Sequence, residues 1–134
     1  MISESELRDP AGSYGRSYEG SEDRLCIVPA GNEKARYRVG VEIHIGEEEY
    51  CRGAGVVRRA GDLLIFTLGQ DGRCTVTAHY DGDQVVMPGA VDQACDSLCS
   101  ARSSLAGVSF PRLASGGGAG HAVIGKSGDS LCPR

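Results

Sequence analysis

The chain has 134 residues and a mass of 14.0 kDa, the size of one domain and too small for two independent cores. Its formal net charge of -4, pI near 5.3 and scattered basic residues, with Arg58-Arg59 the only adjacent pair, exclude the clustered positive charge of a nucleic-acid binder. No run of about 18 apolar residues is present to form a transmembrane segment. With no Trp, two Phe and 20 Gly, the core must come from Val, Ile, Leu and a few Tyr, and six cysteines are placed to staple it.

Residues 1–22 are polar, carry no periodicity and read as a mobile N-terminal arm, from which Tyr14 and Tyr18 could dock on the domain. Residues 23–134 read as a single disulfide-stapled β domain. Its first strand is Arg24 to Val28, stopped by Pro29 and the turn-prone Ala30-Gly31-Asn32. In RYRVGVEIHI, Arg36 to Ile45, the apolar Tyr37, Val39, Val41, Ile43 and Ile45 alternate with Arg36, Arg38, Gly40, Glu42 and His44. Strict period two predicts a strand with one buried and one wet face, as in an antiparallel sheet. Gly40, on the wet face, is expected to mark a bend or bulge.

After the acidic turn Gly46 to Glu49 a strand runs from Tyr50 to about Arg59. Ala60-Gly61-Asp62 turns the chain into Leu63 to Leu68, which is apolar on both faces and predicts a central or covered strand. Cys74 to Tyr80 alternates again, Asp81-Gly82 supplies a hairpin signal, and Gln84 to Met87 runs to Pro88. Short turns joining strand after strand predict a mainly β fold: an antiparallel up-and-down meander closing into a small barrel or half-barrel. Val91 to Cys99 predicts one short helix capped by Asp92, and Ser104 to Leu113 a closing strand. SGGGAG, Ser115 to Gly120, lacks the Gly-Lys-Ser/Thr ending of a phosphate loop and has no evident helix after it, so it reads as a flexible or tightly turning segment. The tail that follows ends in Cys132 and is expected to be pinned to the domain.

The cysteines are Cys26, Cys51, Cys74, Cys95, Cys99 and Cys132. Paired C-x2-C knuckles for zinc and the redox C-x-x-C are both absent, leaving a disulfide framework as the reading. Cys95 and Cys99 in an intact helix would stand about 5–6 Å apart at Cβ, too far for a bond that needs roughly 3.5–4.5 Å. Either that segment is a tight loop closed by Cys95–Cys99, or each reaches a different partner. Cys51 with Cys74 is expected across the sheet end, and Cys26 with Cys132 is the pairing favoured for the tail. The N-terminus has no apolar signal core. Because disulfides need an oxidising compartment, the expectation is a periplasmic or extracellular protein whose export signal has been removed, with room for a lipid anchor upstream.

Little chemistry is signposted. No G-x-S-x-G elbow exists, Glu47 to Glu49 and Asp81/Asp83 read as turn residues, and no cofactor or resident metal is implied. His44 and His79 occupy polar strand faces, where they could bind a metal or ligand only if one cavity holds both. At the C-terminal end, Ser115-Gly116-Gly117-Gly118-Ala119-Gly120-His121 and Gly125-Lys126-Ser127-Gly128-Asp129 resemble the Ser-Gly-rich loop and later Lys-Gly-Asp stretch of the periplasmic inhibitors of C-type lysozyme. That resemblance implies a small disulfide-bearing β-barrel, often lipid-anchored, with Ser115 and Lys126 as the residues entering the lysozyme cleft. The first functional reading is therefore a non-catalytic binding domain of the periplasm or cell envelope, its partner an unknown protein or small molecule. The alternatives are a lysozyme-inhibitor-like protein acting by loop insertion, and a small enzyme or metal binder using His44 and His79.

Overall fold

The computed structural model describes residues 8–134. Eight antiparallel strands form a closed barrel in sequence order: β1 Gly12–Tyr18, β2 Ser21–Pro29, β3 Arg36–Ile45, β4 Glu49–Ala60, β5 Leu63–Leu68, β6 Cys74–Tyr80, β7 Gln84–Val86 and β8 Ser109–Ser115. The meander expected from the sequence is present, and its closure is complete. Closure depends on β1, which pairs with β2 on one side and, through a register shift at Ser13/Tyr14, with β8 on the other. Part of the expected mobile arm is thus a barrel strand. Its short Gly12-Ser13-Tyr14-Gly15 run hides the alternation that marks β3, and pairing on both edges supplies the order. The expectations for residues 1–7 fall outside the described residues.

Inward-facing side chains fill the barrel. Tyr14, Leu25, Ile27, Val41, Ile43, Leu64, Phe66, Leu68, Tyr80, Val85 and Phe110 are all buried in one cluster. β5 was expected to be covered on both faces, but only Leu64, Phe66 and Leu68 are buried, and Leu63 is exposed. A single-walled barrel has one inside, so the other face of β5 meets solvent.

One end of the barrel is closed by residues 8–11 and held by Arg112 of β8. The Arg112 guanidinium donates to the carbonyl oxygens of Asp9 (3.0 Å), Ala11 (3.1 Å) and Gly82 (3.0 Å) and to the Tyr80 hydroxyl, and it lies over the rings of Tyr14 and Tyr80. Tyr14 and Tyr80 in turn donate to the carbonyls of Pro10 and Arg8, each at 2.5 Å. Burial raises the Tyr14, Tyr37 and Tyr80 phenols above their ordinary range, Tyr37 to about 12, so all three stay neutral donors at physiological pH.

Residues 91–99 were expected to form a short helix. They form a 3-10 helix, Gln93–Leu98, with the Asp92 carboxylate accepting from Ala94 N–H as the expected cap. Its cysteines separate: Cys74 bonds Cys95 and Cys51 bonds Cys99. The expected Cys51–Cys74 bridge does not form because β5 lies between β4 and β6. Two strand spacings put such positions roughly 10 Å apart, beyond the reach of about 7 Å between Cα atoms.

The closing strand starts later than expected, at Ser109. The glycine-rich segment after it forms one α-helical turn, α1 Gly117–His121, where no helix was expected. Glycine has poor intrinsic helix propensity, so packing decides: a Cβ on Gly120 would stand 2.6 Å from the Ile27 carbonyl oxygen, and only glycine lets this turn approach β2 so closely. The tail then crosses the outside of β2 and β3. Cys26 bonds Cys132, the favoured pairing, and a small outer cluster of Cys26, Val28, Leu131, Cys132 and Val123 forms there.

This crossing corrects the reading of β3. Gly40 and Glu42, assigned to a wet face, are buried under the tail, and β3 is covered on both sides over residues 39–43. Gly40 marks a backbone contact rather than a bend, because a Cβ there would lie 2.3 Å from the Leu131 carbonyl oxygen. Replacing Cys26 and Cys132 together by Ala is expected to cost about 2–4 kcal/mol and to raise amide exchange in residues 123–134, read by urea denaturation and hydrogen exchange. Unchanged stability would mean that the tail is held by its other contacts alone.

Candidate functional site

A cleft lies where the β1–β2 and β3–β4 turns meet, joined by a Gly46 N–H bond to the Gly20 carbonyl at 2.8 Å. It encloses ≈ 560 Å³ and is lined by Tyr18, Glu19, Glu22, Arg24, His44, Glu47 and Lys126, among others. This is the size of a small-molecule site, for which roughly 300–1,000 Å³ is usual.

Each wall follows from strand register. Glu22 and Arg24 point outward from β2, because their neighbours Ser21, Asp23 and Leu25 are the buried set. On β3, Glu42 and His44 share the outer face, with Arg24 opposite Glu42 and Glu22 opposite His44. Lys126 arrives from the tail, in a short hairpin closed by the Ile124–Ser130 bridge.

Glu42 joins these parts. Its Oε1 accepts the Lys126 backbone N–H at 2.8 Å and lies 2.5 Å from His44 Nε2, and Arg52 Nε stands 3.9 Å from Oε2. The carboxylate is 2% exposed, and Oε2 has no hydrogen-bond partner among the described residues. Burial pushes the carboxyl pKa up, but the Lys126 amide, His44 and Arg52 together outweigh it and hold it below the ordinary value. Arg24 is also only partly satisfied: Nη2 pairs with Glu22, while Nη1 is buried without an acceptor. On the inner face, Asp23 reaches Arg16 at 3.5 Å, and burial raises its pKa against the pull of Arg16 and Tyr18.

The structure separates most of the residues singled out from sequence. His44 and Lys126 share the cleft. His79 lies elsewhere, exposed on β6 with Nε2 3.1 Å from Asp62 Oδ2. His44 pairs with Tyr50 at the start of β4, whereas His79 pairs with Leu63, whose partner Ala60 ends β4, so the two histidines sit in registers at opposite ends of that strand. Among the described residues, no group of three or more His, Cys, Asp or Glu could hold a metal ion. Ser115 ends β8 opposite Gly12, within 3.4 Å of Arg112 Nη1, and does not line the cleft.

Sequence reasoning missed Glu42, Arg24 and Tyr18. The signal for Glu42 was the Gly-x-Glu spacing on a single β3 face, where glycine admits the tail and the carboxylate then receives its amide.

Comparison with known proteins finds no matching family model, curated protein or solved structure.

A carboxyl whose folded pKa is depressed contributes stability above its unfolded pKa and loses it as pH falls through the folded value. Glu42→Gln is therefore expected to destabilise the protein by about 1–3 kcal/mol at pH 7. The gap to wild type should shrink as pH drops below about 4, with urea midpoints at pH 7 and pH 3 making the comparison. A gap independent of pH would show that the ionised form is not what holds the tail.

Proposed function

We propose that this protein is a non-catalytic binding domain of an oxidising compartment, the periplasm or cell envelope, and that it takes its ligand on the outside of the barrel in the Tyr18–His44–Lys126 cleft. One observation carries this reading. The barrel interior is occupied by its own side chains, whereas the outer cleft gathers charges of both signs on a frame fixed by strand register and the tail. Rigid elements holding a few converging polar groups are what a recognition site requires. The three disulfides support the compartment, since such bonds persist where thiols are kept oxidised. His44 and His79 stand in registers at opposite ends of β4 and do not share an enzyme or metal site.

The test is a titration of isotope-labelled protein with a library of small polar compounds, followed by amide chemical shifts. Shifts concentrated on residues 17–24, 44–47 and 126 are expected. Responses confined to other surfaces, or none across the library, would overturn the assignment of this cleft.

A second reading, lysozyme inhibition by loop insertion, is favoured by one observation: Lys126 stands in a tail hairpin and its ammonium makes no ion pair among the described residues. Under that reading an equimolar amount of the protein suppresses the activity of a C-type lysozyme, and a Ser115→Ala, Lys126→Ala double variant releases it. Full lysozyme activity at tenfold excess of the protein would remove this reading.

A further inference from the structure

The charges of the cleft are sorted along the strands. At one end the row of Arg24 and Glu42 carries Lys126, which is held there by its backbone bond to Glu42. Glu42 is 2% exposed, with its Oε1 taken by the Lys126 amide and His44, so the groups that face a ligand at this end are the Lys126 ammonium and the partly exposed Arg24 guanidinium, whose Nη2 pairs with Glu22. In the middle lies the row of Glu22 and His44, with Glu22 already paired to Arg24. At the other end, Glu19 and Glu47 flank the joined turns at Gly20 and Gly46, and neither makes an ion pair among the described residues. From Arg24 to Gly20 the chain advances four residues, roughly 13 Å at about 3.3 Å per residue.

Resting on the binding reading above, we propose that the cleft recognises a short zwitterionic peptide, its terminal carboxylate at Arg24 and Lys126 and its terminal ammonium at Glu19 and Glu47. The length fits, since a fully extended tripeptide spans at most about 10–11 Å, and the side chains of the two ends cover the remainder. The sign pattern discriminates. A polyanion meets Glu19, Glu22 and Glu47, a polycation meets Arg24 and Lys126, and only a ligand with one charge at each end is matched along its length. Tyr18, exposed beside these groups with the Arg16 guanidinium over its ring, offers its remaining ring surface to the peptide body.

Calorimetric titration with tri-alanine, N-acetyl-tri-alanine and tri-alanine amide tests this. The free peptide is expected to bind, and each cap to weaken binding by about tenfold, the loss of one charge-assisted contact. Lys126→Gln should weaken the free and N-acetylated peptides while leaving the amide unchanged, and Glu47→Gln should weaken the free peptide and the amide while leaving the N-acetylated one unchanged. That crossed pattern is one a merely structural defect would not produce. Capped and free peptides binding alike, or no binding of tri-alanine, would overturn the proposal. In either case, other compounds of the library still shifting the cleft amides would leave the binding reading standing, whereas a silent cleft would end both.

Discussion

Closure of the barrel is the constraint on which the rest of the structure depends. An eight-stranded sheet has just enough interior for its own side chains, and here the small core of Val, Leu, Ile, Tyr and two Phe is sufficient only because β1 meets β8 and no edge is left open. Arg112 secures that seam. Its guanidinium fixes backbone carbonyls from both sides of the closure and sits over two tyrosine rings, which makes it a cap for one barrel end as well as a link between first and last strands. With that end sealed by residues 8–11 and the interior filled, the Tyr18–His44–Lys126 cleft lies on the outer surface.

The outer surface is shaped by the C-terminal tail. Glycines at 40 and 120 remove the side chains that would hold the tail away from β2 and β3, and Cys26–Cys132 ties it down. Once there, the tail converts an exposed carboxylate, Glu42, into a buried one that receives the Lys126 amide and faces His44. A buried ion of this kind persists only when hydrogen-bonded and paired, so the tail and the charge stabilise one another. The cleft is a product of that arrangement, with Lys126 delivered beside Arg24 at a fixed height on the barrel.

The disulfides divide the work by position. Cys51–Cys99 and Cys74–Cys95 bind the 3-10 segment to β4 and β6, the first of them beside a single antiparallel bridge between the same two residues. Cys26–Cys132 instead closes most of the chain into one loop, where constraint of the unfolded state is greatest. A protein built this way is suited to an oxidising compartment.

The sequence by itself determined strands β2 to β8 and their order. Alternation in Arg36 to Ile45 and Cys74 to Tyr80, broken by Gly and Asp turns, is local information, because side-chain direction in a strand repeats every two residues. The even count of dispersed cysteines and the terminal Cys132 likewise signalled the stapled tail. The tertiary structure alone decided what depends on contacts far apart in the chain: that Gly12 to Tyr18 completes the barrel, that Cys51 and Cys74 are kept apart by β5, and that His44 and His79 never meet. It also decided that Glu42 is buried, for alternation identifies the face a residue occupies and carries no information about what another segment will lay over that face.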